Sequence, residues 1–149
     1  MKQRTRLFVA RCCVGMVLFI NLNCAVQFLS KPEFFRSGFE LTGVPGMAMV
    51  QGMGLLFIMW NIPYIFALLH PVKNRISMVE TLIMQWIGVA GESILLRQLP
   101  GSHLNLQATV HRFVLFDGAG FIMLLIAFLI TRRITLDNPS KPVNPKDNC

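Results

Sequence analysis

The chain has 149 residues, of which 54% are hydrophobic and only 14% are charged. A soluble domain carries about 25% charged residues, so this composition argues against a soluble enzyme, a disordered chain and a disulfide-stapled secreted domain. The formal charge is +7, but we expect no folded soluble face on which the basic residues could form a patch. We therefore expect no nucleic-acid partner.

Four apolar runs follow one another along the chain, and each is long enough to cross a membrane. About 20 residues of helix span a bilayer core, and backbone groups in lipid must bond within the helix itself. The sequence predicts an all-α integral membrane four-helix bundle, a single domain over residues 1–133, with spans at about 12–29, 46–69, 76–96 and 113–131. For residues 134–149, rich in Pro, Asn and Lys, we expect a disordered cytoplasmic tail.

The first run follows the basic residues Lys2, Arg4 and Arg6, as the apolar part of a secretory signal peptide also would. No small-residue cleavage pattern follows it, so we interpret the run as a retained helix. The loop after it, residues 30–45, mixes Phe with charged side chains, which is typical of a segment lying in the membrane interface. We favour aromatic anchoring for this loop and keep open a lid over a site between helices.

The second run carries Gln51 and Asn61 in a polar stripe and contains Pro63. Proline removes a backbone donor and frees the carbonyl of Met59. We therefore expect a kink, with the Asn61 side chain bonding the freed backbone. The methionines of this run would suit copper(I), but Met is a common gap filler in apolar helices. We predict no metal and no cofactor.

The third run carries a polar stripe spaced by four, three and four residues, which places its members on one helical face. Costly polar groups in lipid usually face the interior of a bundle. The members of this stripe are Thr81, Gln85, Gly88 and Glu92. Glu80 lies near the inner surface, at the depth of Arg11 on the first run, and we expect these two residues to form a structural ion pair.

The fourth run places Asp117 near its outer end, with Gly120 on the same face. Similar depth predicts an outer charge cluster of Glu92, Arg97, His111, Arg112 and Asp117. Such a cluster either holds the helices in register or forms a polar pocket for a lipid-like or quinone-like head group. Our ligand-binding candidates are Gln51, Asn61, Gln85, Glu92, His111, Arg112 and Asp117. Glu92 and Asp117 are also the acid–base candidates if the protein is an enzyme.

The positive-inside rule gives the predicted orientation. Of 14 Lys and Arg residues, ten lie at the termini and in the loop between the second and third runs. The other four are Lys31, Arg36, Arg97 and Arg112. We therefore expect both termini in the cytoplasm, and the plasma membrane as the host.

Four helices with short loops and both ends in the cytoplasm look like the topology of the DoxX-like family of small membrane proteins. The arrangement also resembles the sterol-isomerase and sigma-2-receptor group, and that resemblance implies a pocket with intramembrane carboxylates. We predict a non-enzymatic accessory or ligand-binding module, with membrane lipid and a protein partner or second copy as partners. The alternatives are a membrane-embedded enzyme acting on a lipid, sterol or quinone, and a small dimeric proton-coupled transporter.

Overall fold

The structure, a computed structural model, describes residues 3–134, and nearly all of them are helical. The helices are α1 (Gln3–Ser30), α2 (Pro32–Arg36), α3 (Gly43–Trp60), α4 (Ile62–Leu69), α5 (Arg75–Gln98) and α6 (Leu104–Thr131). A 3-10 turn, Ser37–Phe39, follows α2. Four units are long and apolar enough to cross a membrane, namely α1, α3 continued by α4, α5 and α6. The prediction of an all-helical protein with four candidate spans is confirmed, and the tail predicted at 134–149 lies almost wholly outside the described residues.

Two helices begin well before the apolar runs from which they were predicted. α1 begins at Gln3 rather than near residue 12, and α6 begins at Leu104 rather than near residue 113. Helical hydrogen bonding does not require apolar side chains, so a helix can extend beyond its apolar run. Each of these helices has 28 residues, or about 42 Å, against a hydrocarbon core of about 30 Å.

The helices pack antiparallel around a narrow core. α1 packs on α3, α4 and α6, and α5 packs on α4 and α6. The buried core includes Val14, Tyr64, Met78 and Leu124. Many large apolar side chains on the other faces are exposed, which is the pattern expected of helices that meet acyl chains rather than water.

The second span is broken at Asn61, between the end of α3 and the start of α4. Asn61 Nδ2 donates to the carbonyl of Phe57 at 2.6 Å. The interruption between α3 and α4 falls two residues before Pro63, where the sequence predicted a kink, but the acceptor of the Asn61 side chain is Phe57 and not Met59. The amide folds back one turn along its own helix, where the Asn61 backbone N–H also reaches the Phe57 carbonyl at 3.2 Å.

Two glycines let α5 and α6 approach closely. A methyl group on Gly88 would overlap Oδ2 of Asp117 on the facing helix. A methyl group on Gly120 would lie 2.9 Å from Nε2 of Gln85, which is closer than real Cβ contacts. Each glycine therefore makes room for a polar side chain of the opposite helix. Gly91, one turn further along α5, faces open space.

We expect Gly88→Ala to destabilise the protein by about 1–3 kcal/mol, since overpacking a close helix contact costs this much. Gly91→Ala is the matched control and should be neutral or slightly stabilising, because alanine is the better helix former. Thermal unfolding of both variants in detergent micelles checks the prediction. Equal melting temperatures for the two variants would contradict it.

Candidate functional site

A chain of hydrogen bonds crosses the middle of the bundle from α3 to α6. Trp60 Nε1 donates to the Tyr64 hydroxyl at 3.3 Å, and that hydroxyl donates to Gln85 Oε1 at 2.5 Å. Gln85 Nε2 then donates to Asp117 Oδ1 at 2.8 Å. Tyr64 and Gln85 are almost completely buried. Each hydrogen bond in this series is donated in the direction of the Asp117 carboxylate. Polar side chains from three spans therefore satisfy one another.

Helical spacing explains why these groups meet. Thr81 and Gln85 lie one turn apart on the buried face of α5, as the predicted stripe requires, and Thr81 donates to the Met78 carbonyl at 2.9 Å. Tyr64 is the member that the sequence interpretation missed. It is the only tyrosine of the chain, and it stands one position after Pro63 in an otherwise apolar stretch. A lone hydroxyl at such a place was the available signal.

A second polar contact joins α1 to the helix break. Asn21 Nδ2 donates to Asn61 Oδ1 at 3.3 Å, and both residues are buried. Asn23 is exposed and accepts from Gln27 on the same helix. The two asparagines of α1 therefore point to different faces, as their spacing of two predicted, and Asn61 is placed in the interior.

The predicted outer charge cluster does not form. Asp117 bonds to Gln85, and Arg97, His111 and Arg112 are exposed. Among residues 3–134 the single ion pair joins His103 to Glu40. Long basic side chains extend to the surface, whereas Asp117 is seated inward against Gly88.

Glu92 occupies a different environment from Asp117. Its Oε2 atom is buried and has no hydrogen-bond partner within residues 3–134. It lies on the wall of a cavity of about 350 Å³ between α3, α5 and α6. The other lining side chains are all apolar, namely Phe39, Met53, Leu56, Phe57, Leu95, Leu106, Val110 and Phe113. Asp117 does not line this cavity.

The cavity is reached from the side of the bundle. Leu56 on α3 and Leu95 on α5 line it and are also exposed on the outer surface. α3 packs on α1 rather than on α5, so the gap between α3 and α5 is not filled by backbone contact.

A second cavity of about 350 Å³ lies between α1 and α6 and is more polar. Its wall includes Asn21, Asn23, Gln27 and Arg112, together with Phe57, which also lines the first cavity. Arg112, one of the basic residues predicted for the outer cluster, therefore reaches a cavity wall.

The remaining sequence candidates do not form the contacts predicted for them. Arg11 Nη2 donates to the Leu69 carbonyl at 2.7 Å, and Glu80 is exposed, so the ion pair expected between Arg11 and Glu80 does not form. The arginine instead satisfies the last turn of α4, where a positive charge is favourable. Gln51 is exposed, and its Nε2 donates to the Leu29 carbonyl at 3.3 Å near the end of α1.

The segment 31–42, here termed the cap segment, folds back over the end of the bundle opposite the termini. Phe39 packs on Phe28 and Phe113 and lines the apolar cavity. Thr109 on α6 donates to the Gly38 carbonyl at 2.8 Å. Phe34 is exposed. Phe34 is therefore available as the predicted aromatic anchor. Phe39 lies over the apolar cavity, where the alternative prediction places a lid.

Glu40 ties the cap segment to the start of α6. It adopts a φ of 55°, in the left-handed region that side chains rarely occupy. Its carboxylate accepts from His103 Nδ1 and from the backbone N–H of Leu106 at 3.3 Å. It thus caps a helix N-terminus where an anion is favourable. The hydrogen bond from His103 lowers the pKa of the Glu40 carboxyl below its usual range.

Comparison with protein-family models, curated proteins and solved structures gives no match for this chain. The resemblance of its topology to the DoxX-like family and the sterol-isomerase group therefore stays a prediction. Function has to be inferred from the chemistry of the site.

We expect Tyr64→Phe to destabilise the protein by about 1 kcal/mol. The change leaves Gln85 Oε1 buried without its donor, and interhelical polar contacts in membranes average about 0.6 kcal/mol while an unsatisfied buried acceptor costs about 1–3 kcal/mol. A double-mutant cycle with Gln85→Met, followed by thermal unfolding in micelles, measures the coupling. Simple addition of the two losses would show that the bond does not couple the spans.

We expect the stabilising effect of Glu40 to depend on pH. Because its pKa is lowered on folding, its contribution is complete above the unfolded value of 4.5 and is lost as pH falls through the folded pKa. The melting temperature of Glu40→Gln should therefore be below that of the wild type at neutral pH, and the two should converge in acid. Glu33→Gln, an exposed change in the same segment, is the control. A difference that stays constant down to acid pH would refute the role of Glu40.

Proposed function

We propose that the protein is a membrane-embedded binding module for a small amphipathic molecule with an apolar body and a hydrogen-bond donor in its head group. The observation that carries this proposal is the buried, unpartnered Oε2 of Glu92 on the wall of an otherwise apolar cavity. A buried acceptor without a partner costs about 1–3 kcal/mol. A ligand hydroxyl or amine would recover part of that cost.

The shape and surface of the cavity support the same class of ligand. Binding sites for small molecules are mostly apolar pockets of about 300–1,000 Å³ with a few polar groups that fix orientation. This cavity has about 350 Å³ and one carboxylate. Phe39 of the cap segment, Phe57 and Phe113 form an aromatic wall of the cavity. A lipid-like molecule, or the hydroxyl form of a quinone-like molecule, has both parts that the cavity requires.

Binding explains the site better than catalysis does. The enzyme alternative assigns acid–base chemistry to Glu92 and Asp117 together, so that both would have to reach one substrate. Glu92 lines the cavity, whereas Asp117 is not among its lining residues and accepts from Gln85. The embedded enzyme and the dimeric proton-coupled transporter stay alternative predictions, as do a protein partner and a second copy.

Three probes with the same tail test the proposal, namely dodecylamine, dodecanol and dodecyl methyl ether. The first two carry a donor in the head group and the ether carries none. We expect the amine and the alcohol, but not the ether, to raise the melting temperature of the wild-type protein in micelles, because a ligand that binds only the folded state stabilises it.

Glu92→Leu should remove the difference between the three probes, because the acceptor is then absent. Glu80→Gln is the matched control, since it changes an exposed glutamate of the same helix outside the cavity, and it should keep the wild-type order. Equal stabilisation by all three probes in the wild type, or an unchanged order in Glu92→Leu, would contradict the proposal.

A further inference from the structure

A groove of about 330 Å³ lies at one end of the bundle. α1 begins there and α6 ends there. Its lining residues come from these two helices and the turn after α6, namely Arg6, Leu129, Ile130, Arg132 and Arg133. The groove is at the opposite end from the cap segment and takes no part in the function proposed above.

The groove is strongly basic and has no acidic wall. Three of its five lining residues are arginines and none is acidic. Within residues 3–134 none of these arginines forms an ion pair, since the single pair joins His103 to Glu40 at the other end. A guanidinium group is planar and binds phosphate oxygens with two parallel donors. Three of them on one groove form a receptor for a phosphate group.

The turn that carries two of these arginines is held in place by α5. Arg75 Nη2 donates to the Arg132 carbonyl at 2.8 Å and to the Ile134 carbonyl at 2.9 Å. Ile134 is buried, so the turn is anchored beyond Arg133. The free carbonyls of a helix C-terminus normally repel anions. Here the positive charge of Arg75 offsets that repulsion.

The groove also offers an apolar surface toward the bilayer. Leu129 is 43% exposed and Ile130 is partly exposed, and both lie one turn before the arginine pair, on the membrane side of it. A ligand that fits both parts has a phosphate head and an acyl chain. We propose that this basic groove binds the head group of an anionic phospholipid, with one acyl chain along Leu129 and Ile130.

Native mass spectrometry of the detergent-purified protein tests this site with dioleoylphosphatidylglycerol and dioleoylphosphatidylcholine as probes. We expect the wild type to retain the anionic lipid in preference to the zwitterionic one. Each basic residue near a membrane surface contributes about five-fold to the binding of anionic lipid. Arg132→Gln with Arg133→Gln should therefore weaken retention of phosphatidylglycerol about thirty-fold.

The matched control is Lys31→Gln with Arg97→Gln, which removes two exposed positive charges at the other end of the bundle and should leave retention unchanged. Arg6→Gln is a second variant that leaves the Arg75 bonds intact, and it should weaken retention about five-fold. If the double arginine variant does not fold, Arg6→Gln decides alone. A control as weak as the double arginine variant, or an unchanged Arg6→Gln, would overturn the proposal.

Glycerol phosphate distinguishes a lipid site from a site for free phosphate compounds. It carries the head group without acyl chains, so we expect it to displace phosphatidylglycerol only at far higher concentration. Displacement at equal concentration would show that the acyl chain contributes nothing and would overturn the assignment to a lipid. Equal retention of the two phospholipids by the wild type would overturn it as well.

Discussion

A polar side chain inside an apolar bundle can be satisfied only by another group of the bundle or by a bound molecule, because apolar surroundings offer no hydrogen-bond partner. This constraint fixes how α5 and α6 meet. Gly88 leaves room for Asp117, Gly120 leaves room for Gln85, and the amide and the carboxylate bond in the space between. A shift of one helix along the other would separate Gln85 from Asp117 and leave the carboxylate without its partner. The register of the two helices therefore depends on this contact. Tyr64 then ties the second span to the same point.

The same constraint separates the two carboxylates of the bundle. Asp117 is short, lies in the close part of the α5–α6 contact and is satisfied by Gln85. Glu92 lies one turn beyond Gly88, where the cavity separates α3 from α5 and α6, and its buried oxygen has no partner among the described residues. One carboxylate is therefore satisfied within the helix contact, and the other carries the binding that we propose. This difference is the physical basis for inferring binding rather than acid–base catalysis.

Apolar length and helical spacing were enough to predict the four spans, the buried face of Thr81 and Gln85, and the break beside Pro63. The pairing of charges could not be predicted in this way. Similar depth predicts that Arg11 lies near Glu80. A long arginine side chain, however, can donate to any acceptor within its reach, and Arg11 binds the Leu69 carbonyl at a helix end. Helix ends offer such carbonyls wherever they fall. Counting charged residues along the sequence does not reveal these carbonyl acceptors.

The arginines at this end of the bundle therefore fall into two groups that differ in what they bind. Arg11 and Arg75 are committed to carbonyls at the ends of α4 and α6. Arg6 and Arg133, at the same end, line the basic groove and have no ion-pair partner in the part of the chain that the structure describes. Because Arg11 and Arg75 are bound to carbonyls at helix ends, the lipid site that we propose rests on the groove arginines and not on these two. The groove and the Glu92 cavity lie at opposite ends and share no lining residue, and sites so separated have effects that add.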